Sequence, residues 1–350
     1  MYSNKTANTM PNTMNPRDET TRYTDQPAWQ DIQAFLPRER HLTPETTPVE
    51  RFWDWRGHRI HLDRLERKDS PVRIILFHGV GSNGRQMSMT IGAPLFQLGY
   101  DVAAIDMPPY GLTRAAPRAR ITYEDWVALA VDFIRAGSAG DDRPFFLYGL
   151  SAGGMLTYHV AARMASEETA GAGRIIGIGG TTFLDQRERM VRDRSARNLF
   201  MSRIGTPFAH LVARTPLAGL KLPMRLVSKM HRLVNDPDAL RILLKDKTSA
   251  GSWASMAFLS SYLRYRPTRE PEAFDACPIL LTQPGADNWT PLVLSEVFLA
   301  RVRQAPVKVV MLNGASHYPM EEEALARLTE AVDGFIRKRM PPVSGKWYQK

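Results

Sequence analysis

One cysteine, Cys277, in 350 residues leaves no partner for an internal disulfide and no thiolate set for a zinc or iron–sulfur centre. It weakly favours a reducing compartment. No stretch approaches the roughly 18–20 consecutive apolar residues that cross a bilayer. The start, MYSNKTANTMPNTMNPRDETTRYTDQ, lacks the apolar core of a secretory signal. A cytoplasmic location is therefore expected. Strong compositional bias is also missing: the apolar fraction of 43% and charged fraction of 23% are near globular averages, which excludes a wholly disordered, collagen-like or coiled-coil chain. No internal repeat or long low-complexity tract is present.

The charge is uneven. The formal balance of +10 comes from 46 Lys and Arg against 36 Asp and Glu, and residues 186–247 alone hold 14 basic against 5 acidic side chains. No recognised nucleic-acid-binding module accompanies this excess, and it lies in a segment that reads as helical, so a nucleic-acid partner is not expected.

Residues 1–48, rich in Asn, Thr, Pro and Arg and without apolar period, read as a mobile tail. Alternating segments at 50–55 and 58–65 flank Arg56-Gly57 and suggest a strand pair. Short apolar strands then follow at 72–77 (VRIILF), 101–105 (DVAAI), 144–148 (PFFLY) and 175–178 (IIGI), separated by helical patterns at 87–98, 123–136 and 152–164. The alternation stops at 182–267, a basic, Met- and Leu-rich helical block. It resumes with strands at 278–282 and 307–312, a helix near 292–302 and a final helix at 321–337. Continuous apolar strands alternating with helices predict a parallel sheet covered on both faces, with sites at the edge carrying the strands' C-terminal ends. The expected organisation is a core of 49–181 and 268–340, a cap of 182–267, and a basic C-terminal tail of 341–350.

Between one strand and helix stands Gly149-Leu150-Ser151-Ala152-Gly153, a G-x-S-x-G. A serine on that tight turn adopts strained backbone angles, and glycines beside it remove Cβ atoms that would clash. The helix start behind it offers free N–H groups and a positive dipole end to a developing oxyanion. An ordinary Gly-rich turn is the plainer alternative. A serine hydroxyl needs a base, and the base an orienting acid. Of the eight histidines, His41 lies in the tail, His58 and His61 in the first strand pair, His159 too far along the helix after Ser151, and His210 and His231 in the basic block. His317, in the loop after the last strand, is the expected base. Asp287, in the Gly-rich turn after the strand at 278–282, is the expected acid, with Asp185 as second choice.

The order Ser151, Asp287, His317, with His78-Gly79 after the third strand and Asp106…Tyr110-Gly111 after the fourth, resembles the α/β-hydrolase fold over residues 72–340, near its lysophospholipase and monoacylglycerol-lipase-like branch (the serine-aminopeptidase-like group). The resemblance implies a mostly parallel eight-stranded sheet flanked by helices, with a helical cap inserted after the sixth strand. It also implies an oxyanion hole from the N–H groups of Val80 and Ala152, and chemistry without a metal or organic cofactor. The expected activity is hydrolysis of a small-molecule acyl ester through an acyl-enzyme. The same triad serves amide, thioester or lactone hydrolysis, and a non-catalytic binding protein on this fold is a lesser alternative. The loop lacks the HGGG run of some esterases. A serine in place of a carboxylate nucleophile argues against epoxide hydrolase and haloalkane dehalogenase.

Within the cap, Lys221, Arg225, Lys229 and Arg232 recur at spacings of 4, 4 and 3, with Leu222, Leu226, Met230 and Leu233 beside them. This predicts one basic amphipathic helix starting near Pro223. It reads as a lid over an apolar acyl pocket that meets anionic headgroups or a membrane surface, or else as a solvated helix with snorkelling cations.

Overall fold

The computed structural model describes residues 21–167 and 174–340. Eight strands form one sheet. β1 (Val49–Trp55), β2 (His58–Leu65), β3 (Arg73–Phe77), β4 (Asp101–Ile105), β5 (Phe145–Gly149) and β6 (Ile175–Gly180) precede the cap. Within the cap, β7 (Lys221–Pro223) and β8 (Trp253–Ser255) make a separate antiparallel pair. β9 (Ile279–Pro284) and β10 (Val307–Leu312) complete the main sheet, whose order is β1-β2-β4-β3-β5-β6-β9-β10. Only β2 runs against its neighbours; β4 through β10 pair in parallel. The eight-stranded, mostly parallel sheet with a cap after β6 is the architecture expected from the sequence.

Every residue of β3, β4, β5 and β9 is buried, which accounts for their unbroken apolar composition. Helices cover both faces, among them Tyr123–Ser138, opened by a Thr122–Asp125 capping box, then Ala152–Ser166 and Glu322–Arg337. The parallel direction gathers the loops after β3, β5, β6, β9 and β10 on one edge. Among the described residues no helix is long and apolar enough to cross a membrane.

Two expectations are corrected. The supposed mobile tail is packed in its second part. Helix Pro27–Gln33 docks on the core through Trp29 and Ile32, and Tyr23 is buried, its N–H donating to both oxygens of Glu50. A few well-spaced anchors (Tyr23, Trp29, Ile32, Leu36) suffice where average composition suggests none. Residues 1–20 and the tail of 341–350 lie outside the described residues. The second correction concerns residues 221–232, which are not one helix. Lys221–Pro223 is strand β7, Met224–Val227 a single turn of helix, Ser228 is extended, and Met230–Arg232 is a 3₁₀ turn. Cross-strand pairing of Leu222 with Ala254 overrides the helical period. The Lys229 ammonium instead bonds the Arg194 carbonyl, and Arg232 bonds that of Asn288.

Candidate active site

Ser151 sits between β5 and the helix Ala152–Ser166 with φ +51° and ψ −118°. Positive φ in a non-glycine residue costs about 1–3 kcal/mol and persists only where surroundings enforce it. Here they do. Leu150 N–H donates to the Phe77 carbonyl at 3.0 Å, and Ser151 N–H donates to Thr181 Oγ1 at 2.9 Å. A Cβ on Gly149 would lie 2.0 Å from the Gly153 carbonyl, and one on Gly153 2.3 Å from the Phe77 oxygen, so the turn closes only with glycine at both places.

Beside it, the loop after β3 is held from beneath. Met107 N–H donates to His78 Nε2 at 2.8 Å, so the ring proton resides on Nδ1 and donates to the Gly79 carbonyl at 2.7 Å. Burial lowers the proton affinity of His78 and outweighs the opposing charge of Asp106. The Gly79 carbonyl and the Val80 N–H belong to one planar peptide, so fixing the first aims the second. Among the described residues, neither the Val80 nor the Ala152 N–H donates to a protein acceptor. Val80, Ser151 and Ala152 line one cavity with apolar side chains including Met201, Met224, Met230 and Leu259.

Trp289 and Thr290 line the same cavity. The Trp289 ring lies 4.6 Å from the His317 ring. Asp287 Oδ1 accepts from Trp289 N–H at 2.7 Å and Thr290 N–H at 2.8 Å. Its Oδ2 accepts from Thr290 Oγ1 at 2.7 Å and from His317 Nδ1 at 2.8 Å. An ionised carboxylate only accepts, so Nδ1 carries a ring proton, and Nε2 is the nitrogen left to act as base. Burial would raise the Asp287 pKa, but the charge and hydrogen bond of His317 and the two Thr290 bonds outweigh it and hold it at about 2.

The sequence-derived candidates thus divide. Asp287 and His317 are in contact, and Ser151, Val80 and Ala152 share a cavity that is also lined by Trp289, whose ring packs on His317. Asp185, the second-choice acid, is instead spent on a bidentate pair with Arg187. His159 is buried against Tyr123, with its pKa pushed down by burial to about 3. His61 belongs to a different cluster: Nε2 lies 2.9 Å from Glu50 and Nδ1 2.9 Å from Asp106. Burial opposes its protonation, yet the Asp106, Glu50 and Asp63 carboxylates raise it to about 9. Asp106 also accepts from Tyr23 Oη and from the N–H groups of Gly84 and Leu112, which anchors the loop carrying His78. Sequence reasoning missed Thr290, Trp289 and Thr181. Thr290 was findable, since an Asp with Thr three residues on is a local hydrogen-bonding signature; nothing in the sequence marks Thr181.

A family model described as the alpha/beta hydrolase family matches residues 74–331, well over half the chain. The chain belongs to the alpha/beta hydrolase family. Family membership supports hydrolase activity for this hydrolase, and solved structures share its fold. A soluble variant of monoglyceride lipase from Saccharomyces cerevisiae, in complex with a substrate analog, is 15% identical with a TM-score of 0.67, covering 87% of this chain and 99% of its own. The monoacylglycerol lipase of Paleococcus ferrophilus is 20% identical with a TM-score of 0.60, covering 79% and 98%. A bacterial membrane phospholipase A is 18% identical with a TM-score of 0.58, covering 89% and 93%. A search of curated proteins by sequence finds no significant match. At these identities the likeness speaks for the fold, and the reaction must be argued from the site.

Proposed function

We propose that this hydrolase cleaves a carboxylic ester of a small acylated alcohol with Ser151 as nucleophile. His317 Nε2 takes the Ser151 proton as Oγ attacks the carbonyl carbon. Asp287 holds the ring in the required tautomer and stabilises its charged form. The N–H groups of Val80 and Ala152 receive the oxyanion, each such donor contributing about 3 kcal/mol to the barrier reduction. His317 then protonates the leaving alcohol and activates the water that releases the acid from the acyl-enzyme.

One observation carries the reading: a serine held at positive φ lines the same cavity as two unspent N–H donors and the Trp289–Thr290 wall that packs on the Asp287–His317 pair. The apolar lining of that cavity favours an acyl chain over a polar substituent. A lipid surface as the source of substrate is supported by the cap. Phe200, Ile204, Phe208 and Leu211 are 54–65% exposed at spacings of 4, 4 and 3, along a continuous helical run that includes Met201–Gly205 and Thr206–Val212. An exposed apolar helical face in a cap of net positive charge is the composition of an interfacial helix. Ser151→Ala should abolish turnover of p-nitrophenyl esters while the circular dichroism spectrum is retained. Wild-type turnover in that variant would end the proposal.

A further inference from the structure

The cavity that Ser151 lines is small, about 100 Å³. An apolar cavity of about 150 Å³ takes up one six-carbon benzene ring, so the space beside Ser151 has room for about four carbons. Two methionines of its wall, Met224 and Met230, are only 3% and 1% exposed. Met224 directly follows β7, whose pairing of Leu222 with Ala254 and Pro223 with Trp253 fixes where the chain turns inward. Its N–H donates to the Ser252 carbonyl at 3.2 Å. Met230 opens the turn Met230–Arg232 and packs on the loop that carries Val80: its Sδ would lie 3.1 Å from a Cβ placed on Gly81.

Methionine side chains adapt to what they meet, but their reach is limited by the backbone that carries them. Here that backbone is tied at both ends, by the β7–β8 pairing and by the Tyr318 N–H, which donates to the Leu233 carbonyl at 2.8 Å. A longer chain finds no apolar continuation on the side where Arg192, Thr206 and Leu263 stand. There the cavity adjoins a second cleft, of about 650 Å³, lined by five further arginines. Methylene groups gain by leaving water for apolar walls, and a cleft of guanidinium groups returns little of that gain.

We propose that Met224 and Met230 determine acyl specificity, limiting the acid part of the substrate to about four carbons. The substrate class is then an ester of a short-chain acid, and the apolar bulk that would bring such an ester to a lipid surface lies in its alcohol. This rests on the serine-hydrolase reading for the position of the ester, while the size limit stands on the cavity itself.

The test is the chain-length profile of kcat/KM on p-nitrophenyl acetate, butyrate, hexanoate and octanoate, for the wild-type protein and for Met224→Ala and Met230→Ala. In the wild type, kcat/KM should rise about fourfold per methylene up to butyrate. It should then fall, to at least about tenfold below butyrate at octanoate, because a filled cavity resists further atoms. Each substitution removes three non-hydrogen atoms, Cγ, Sδ and Cε, and should carry the limit from about four carbons to about seven, so that hexanoate overtakes butyrate. A wild-type kcat/KM that keeps rising from butyrate to octanoate would overturn the size limit, and needs no variant to fold. A short-chain optimum unmoved in both folded variants would overturn the assignment to the methionines. Fluorophosphonate labelling of Ser151 is scored separately: its absence sinks the hydrolase reading, whereas a labelled enzyme that favours octanoate sinks the size limit alone.

Discussion

Replacing Asp287 with asparagine tests how the imidazole is held. Asp287 Oδ1 accepts two backbone N–H bonds, from Trp289 and Thr290, so the amide oxygen of asparagine would settle there. The amide NH₂ would then face the Thr290 hydroxyl and His317 Nδ1, where Oδ2 now accepts at 2.7 and 2.8 Å. Two donors cannot meet, so His317 must move its proton to Nε2 and lose its function as base. The carboxyl is held at about 2 against an ordinary 3.8, which corresponds to roughly 2 kcal/mol of favourable interaction with the ionised form. That stability is present above pH 3.8 and lost as pH falls through 2, so just above pH 3.8 the variant should lose up to about that much by urea denaturation. The kinetic loss should be far larger, about ten-thousandfold in kcat, because the wrong tautomer removes the base outright. Ester turnover and urea midpoints measured on one preparation separate the two effects. A kcat within tenfold of wild type, in a folded variant, refutes the tautomer argument.

Four other perturbations have defined outcomes. Thr290→Val removes the hydroxyl bonded to both Asp287 and His317 and should lower kcat by about 10- to 100-fold with KM little changed; a KM effect alone would contradict a positioning role. His61 titrates at about 9 in the folded chain against an ordinary 6.5, so stability from its carboxylate contacts, at most about 3 kcal/mol, is complete below pH 6.5 and lost as pH rises through 9. Urea midpoints that stay level across that range would contradict the charged cluster. Tyr23→Phe removes the hydroxyl donating to buried Asp106 at 2.9 Å and should cost about 1.5–3 kcal/mol of unfolding free energy; no measurable loss would mean the N-terminal segment does not anchor that loop. Gly153→Ala places a methyl 2.3 Å from the Phe77 oxygen and should destabilise by about 3 kcal/mol; a wild-type melting temperature would contradict the packing of the serine turn.

The sheet was legible in the sequence because its central strands are buried on both faces and so read as unbroken apolar runs, RIILF and DVAAI being the clearest. The serine turn was legible because its geometry needs glycine at fixed offsets. What escaped was set by distant contacts. Tyr23 and Trp29 stand in a polar stretch, and only the surface they meet, including Arg85 over both rings at 4.8 and 4.9 Å, makes them core residues. The 4-4-3 spacing of cations from Lys221 to Arg232 satisfied a helical rule, but the pairing of β7 with β8 prevailed over it. Thr181 acquires its role only from the crossing of β6 beside β5.

The central claim, that Ser151 Oγ is a nucleophile activated by His317, is tested most directly by intact-mass and peptide analysis after exposure to a fluorophosphonate. One adduct per chain, mapped to Ser151 and suppressed in His317→Ala, is the expected result. A folded, unmodified chain, or an adduct on any other residue, contradicts the account.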